Sequence, residues 1–193
     1  MKRIIVPILL MVLLALVSAP SHAACNGTEV TETFSVPDLN GGCCIITVTY
    51  CYQLSGGVLT LGIGVITVPS DCQLIVNPGL FNWLRKKIVY RLNAPGILNL
   101  GIPNCPQTST ITVLTSQASC YFAQVMSTNT VFYPCGTLSY CVKRCSVCLS
   151  TSETDPCNAN EPMLQYVGCQ NTIIPCVPDP FYPDCLINTC DSN

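Results

Sequence analysis

The sequence has a single histidine, His22, and it precedes every one of the sixteen cysteines. The long remainder of the chain is without imidazole. That excludes Ser-His and Cys-His nucleophile pairs, histidine-ligated zinc, and covalent haem attachment through a Cys-x-x-Cys-His motif. Charge is scarce as well: eight basic and ten acidic residues make up only 9% of the chain. So few charges cannot supply the basic stripe that nucleic-acid binding requires. There is no EF-hand spacing, no repeated Asp-Gly pattern and no internal repeat. No cofactor is implied.

What is present begins with a targeting signal. Lys2 and Arg3 precede an apolar stretch over residues 4–17, broken only by Pro7, and residues 18–24 are small or polar. Ser21-His22-Ala23 places small residues at the two positions that determine cleavage, so residues 1–23 are expected to be a secretory signal peptide. The apolar run is short for a membrane span, and no transmembrane segment is expected in the mature chain. The rival reading is a lipid anchor on Cys25. It is disfavoured because His22 stands where a lipoprotein signal carries an apolar residue.

All the cysteines follow that signal: Cys25, Cys43, Cys44, Cys51, Cys72, Cys105, Cys120, Cys135, Cys141, Cys145, Cys148, Cys157, Cys169, Cys176, Cys185 and Cys190. This density, with an even count, predicts a disulfide scaffold formed in an oxidising compartment. Spacing alone does not choose among the many possible pairings. Without Lys2 and Arg3, six basic residues face ten acidic ones, so the surface is weakly charged and slightly acidic.

The strand patterns begin at residues 25–36, where Thr alternates with apolar side chains. A turn follows at residues 37–42. Residues 43–54 and 58–68 flank Ser55-Gly56-Gly57, and a Gly-Gly loop suits a tight hairpin because both central residues take positive φ. That loop sets Leu54 opposite Leu59, Tyr52 opposite Leu61, Tyr50 opposite Ile63 and Val48 opposite Val65, an all-apolar face. The other face is more polar and is flattened by Gly62 and Gly64, a surface able to accept another layer or chain. Strand alternation puts Cys43 and Cys44 on opposite faces, so they are expected to have different partners.

One helix is expected near residues 79–93. Asn77 caps it, Pro78 suits its first turn, and Asn93 with Pro95-Gly96 ends it. Leu80, Phe81, Leu84, Ile88 and Leu92 form one apolar side. Further strand patterns follow at residues 108–116, 120–126, 131–133 and 137–142. Residues 24–150 thus form a β domain. Residues 151–193 contain six acidic residues, five cysteines and six prolines, with no Lys or Arg. They predict an ordered, loop-like extension stapled by cysteines, in which residues 177–184 cannot be helix or central strand.

Three groups of residues bear on chemistry. Cys141, Cys145 and Cys148 have the Cys-x3-Cys-x2-Cys spacing of the cluster-binding motif in radical S-adenosylmethionine enzymes. Those are intracellular proteins on larger βα barrels, and the motif's aromatic or His is replaced here by Val147. Structural disulfides are the preferred reading, over a redox Cys145-x-x-Cys148 pair or a zinc site. Arg85, Lys86, Lys87 and Arg91 concentrate positive charge late in the helix, where cations favour the dipole. On the same helix, Trp83, Lys86, Lys87 and Tyr90 are expected to form an exposed aromatic-basic strip, the first candidate for a ligand contact such as polysaccharide. The acids Glu153, Asp155, Glu161, Asp179 and Asp184 read as solvated surface rather than a calcium site or a glycosidase pair. Asn26-Gly27-Thr28 is a glycosylation sequon.

The run Gly42-Cys43-Cys44-Ile45-Ile46-Thr47-Val48-Thr49-Tyr50-Cys51-Tyr52, with the Gly-rich turn and apolar strand that follow, resembles uncharacterised small secreted cysteine-rich proteins of bacteria. The resemblance spans Asn40 to Val68 and implies no activity. The expected fold is mainly β: a disulfide-rich antiparallel β sandwich or two-layer sheet with one packed α-helix. The expected role is non-enzymatic, extracellular or at the cell surface, in adhesion, envelope structure or assembly. Its partners would be polysaccharide, other surface proteins or further copies of itself. The alternatives are a secreted binding or inhibitor protein and, more distantly, a carboxylate-based secreted hydrolase.

Overall fold

A computed structural model gives the fold of the chain and describes residues 26–135, 140–174 and the backbone of 187–188. The strands among the described residues are β1 (Thr28–Pro37), β2 (Cys43–Ser55), β3 (Val58–Pro69), β4 (Thr112–Ala118), β5 (Cys120–Val125), β6 (Asn129–Pro134), β7 (Tyr140–Asp155), β8 (Asn158–Ile173) and β9 (Ile187–Asn188). The one helix among the described residues, α1 (Pro78–Leu92), lies between β3 and β4. All nine strands join one sheet.

Strand β3 is the hub. It pairs antiparallel with β2 along one edge. On the other, Val58 to Ile63 run parallel to β4, and Ile66 to Pro69 run antiparallel to β6. A strand enclosed in this way reads as a near-continuous apolar run, and Val58–Pro69 does so. The sheet is therefore mixed rather than purely antiparallel, a correction to the sequence expectation. The reason is topological: a parallel neighbour needs a crossover, and β3–α1–β4 is that crossover.

The β2–β3 hairpin forms at Gly56 and Gly57, with φ of 55° and 76°. Leu54, Tyr52 and Tyr50 face Leu59, Leu61 and Ile63 as expected. A bulge between Val48 and Tyr50 then sets Val48 opposite Ile66, not Val65. Such an inserted residue is not encoded in the alternation that precedes it.

Helix α1 starts where its cap predicts, with the Asn77 side chain accepting from the Leu80 N–H at 3.0 Å. Leu80, Phe81, Leu84, Ile88 and Leu92 are all buried, and they share one core with Ile46, Val48, Tyr50, Leu61 and Ile63. The Phe81 and Tyr121 rings lie 4.9 Å apart between helix and sheet. On the sheet's other face, Gly62 and Gly64 are buried.

Cys43 and Cys44 have separate partners, Cys157 and Cys72 respectively. Cys105 pairs with Cys148 and Cys145 with Cys169. Cys51, Cys120, Cys135 and Cys141 are also disulfide-bonded. Cys25, Cys176, Cys185 and Cys190 lie outside the described residues, as does the 177–184 segment.

The stretch from residue 151, expected to be loop-like, is strand as far as Ile173. Strands β7 and β8, sixteen residues each, form a hairpin that crosses the anticipated boundary at residue 150, and β8 packs against α1. Its prolines explain how: Pro156 sits in the turn, and Pro162 lies where the register shifts, positions where a missing N–H costs no ladder bond. Among the described residues, no helix is long and apolar enough to cross a membrane.

Candidate binding groove

A groove of about 1060 Å³ is walled by β1, the C-terminal half of α1 with the turn after it, and the tip of the β7–β8 hairpin. Five successive residues of β1, Thr31 to Ser35, border it. Side chains alternate across a strand, so five in a row bring the strand's edge, not merely one face, to the groove. Thr31, Thr33, Ser35 and Thr47 line one part with hydroxyls, and Lys87, Tyr90 and Arg91 line another.

Two charge clusters sit in these walls. Lys87 donates hydrogen bonds to Asp155 and Glu161, joining the helix to the hairpin tip. Asp155 is 1% exposed, and its other oxygen accepts from the Cys157 N–H at 2.8 Å. Cys157 is in turn bonded to Cys43 of β2. Burial alone would lower the Lys87 pKa, but the bonds to the two carboxylates outweigh it and leave the ammonium above its ordinary range. In the second cluster, Tyr50 donates to Glu32 at 3.0 Å, and Arg91 Nε approaches the other Glu32 oxygen at 3.9 Å. Burial, then the Glu32 charge, holds the Tyr50 phenol well above the tyrosine range.

The aromatic-basic strip is only partly brought together. Lys87 and Tyr90 border the groove; Trp83 and Lys86 do not. None of the four is fully exposed. The Lys87 ammonium lies 5.5 Å over the Trp83 ring centre as well as meeting the two carboxylates. Arg85 departs furthest from the surface cluster: it is 2% exposed and donates to the Phe81 carbonyl at 3.2 Å. Two of the acids read as solvated surface, Asp155 and Glu161, are instead the partners of Lys87. Asp179 and Asp184 lie outside the described residues.

Of the Cys-x3-Cys-x2-Cys run, Cys145 and Cys148 are bonded to distant cysteines rather than to each other, and Cys141 is also oxidised. Sequence reasoning missed the contribution of β1 and of Asn158, Glu161 and Pro162 to the groove. Only a long-range pairing such as Cys43–Cys157 brings those segments together, and nothing local signals it. Comparison with protein-family models, curated proteins and solved structures finds no match.

Proposed function

We propose that this is a secreted, non-enzymatic extracellular protein that binds a partner in the groove between β1, α1 and the β7–β8 tip, in adhesion or assembly outside the cell. The observation that carries the reading is the construction of the groove. Its three walls are cross-linked, by Cys43–Cys157 and by the Lys87 cluster, so the site is rigid before any ligand arrives. Preorganisation of this kind reduces the ordering cost of binding. The twelve described cysteines are all oxidised, which fits an oxidising compartment.

The test is binding of the purified oxidised protein to a glycan array and to a peptide library, repeated with Thr33→Arg and Tyr90→Ala. The expected outcome is a set of ligands whose binding falls at least tenfold in both variants. Ligands that bind the variants equally well, the absence of any ligand, or turnover of a bound glycan would each overturn the proposal.

A further inference from the structure

Strand β1 is an edge. Among the described residues it pairs with β2 and with nothing else, in a register unbroken from Thr28 to Pro37. Natural edges are blunted by charged side chains, Lys above all, by Pro or by a bulge. Strand β1 has no Lys and no bulge, its one proline is the terminal Pro37, and its only charges are Glu29 and Glu32. The contrast is β8, an edge strand that carries Pro162, Gly168 at φ 62° and three register shifts. This more regular edge is also the one that opens onto the groove, with Thr31 and Thr33 exposed.

Resting on the groove reading above, we infer that the occupant is an extended polypeptide segment that adds to β1 as a further strand. An edge offers donors and acceptors at the two-residue repeat of a β-strand, which another backbone matches directly. The five residues Thr31 to Ser35 give room for about 17 Å of extended chain. The walls opposite, α1 and the hairpin tip, leave a place for one free strand. A second folded copy would bring its own sheet and walls. The charges that line the groove balance, Lys87 and Arg91 against Glu32 and Glu161, so the open backbone edge rather than net charge selects an extended segment.

The experiment uses the oxidised protein and a library of end-capped heptapeptides of varied charge. The best binder is then N-methylated at each amide in turn. Strand addition predicts that methylation at alternate amides lowers affinity tenfold or more, while the intervening amides change it less than threefold. Hydrogen exchange should slow at alternate amides of β1 in the complex, and Thr33→Arg should abolish both effects. A Thr33→Arg-sensitive peptide with no alternation would overturn strand addition and leave the groove as a binding site. Binding of glycans in the groove but of no peptide would do the same. A peptide that binds Thr33→Arg normally would overturn both readings.

Discussion

The two long hairpins, β2–β3 and β7–β8, are held in place by different means. Hairpin β2–β3 has a Gly-Gly turn, one bulge, and a face buried against α1. Hairpin β7–β8 is longer, shifts register three times, and leaves much of β8 exposed. Beyond the ladder of β7 with β4, tethers hold it: Cys145–Cys169 across the two strands, Cys105–Cys148 to the loop before β4, Cys43–Cys157 at its tip, and the Lys87 cluster to the helix. Local sequence chemistry specifies the first hairpin, and long-range bonds specify the second.

The most severe way to break the contrast is to remove the tip bridge. Cys43→Ala with Cys157→Ala opens a loop of 114 residues, for which chain entropy alone predicts a loss of about 5 kcal/mol. Denaturant melts would measure that loss. Hydrogen exchange should show amides near residues 150–162 losing protection first; equal loss at residues 50–63 would dissolve the distinction between the hairpins. The converse change is Phe81→Ala, which empties a fully buried site beside Tyr121 and should cost about 4 kcal/mol. Here protection should fall at β2–β3 at least as much as at β7–β8.

Lys87→Met leaves Asp155, almost wholly buried, without its cation, and about 3 kcal/mol is expected to be lost. The loss should be centred on the hairpin tip. In the variant lacking the tip bridge the two effects should couple, because both fix the same turn; simple additivity would show that they act separately. A smaller effect, about 1–2 kcal/mol, is expected for Gly57→Ala, because the residue must stay at φ 76°.

The subtlest test is pH. The folded-state pKa values of Lys87 and Tyr50 are both raised above their ordinary 10.5 and 10.0. A raised value means that the folded form holds its proton more tightly. The associated stability is complete below about pH 10 and declines as pH rises beyond it. Lys87→Met and Tyr50→Phe should each flatten that alkaline decline, which thermal melts between pH 8 and 11.5 would reveal.

Much of the first hairpin and of α1 was legible in the sequence, because turn glycines, a proline-supported cap and period-two or period-3.6 apolar spacing act over a few residues. Legibility ended at the bulge that moves Val48 to Ile66, since one inserted residue leaves no mark on composition. It ended again at residue 151, where acids and prolines imitate a loop. There Pro156 lies in a turn and Pro162 at an irregularity, so neither interrupts the strand pairing. Of the site, Lys87 and Tyr90 stood out by residue type. Their opposite wall did not, because Asp155 lies 68 positions from Lys87.

The bridge between Cys43 and Cys157 also has a consequence for the order of synthesis. As the chain emerges, Cys44 meets its partner after 28 residues, whereas Cys43 waits for 114. Throughout that interval an exposed thiol stands beside a neighbour that is already competent to pair. Premature bonds are then the default and must be exchanged away, so maturation of this protein should depend on a thiol-disulfide isomerase more than on an oxidant alone.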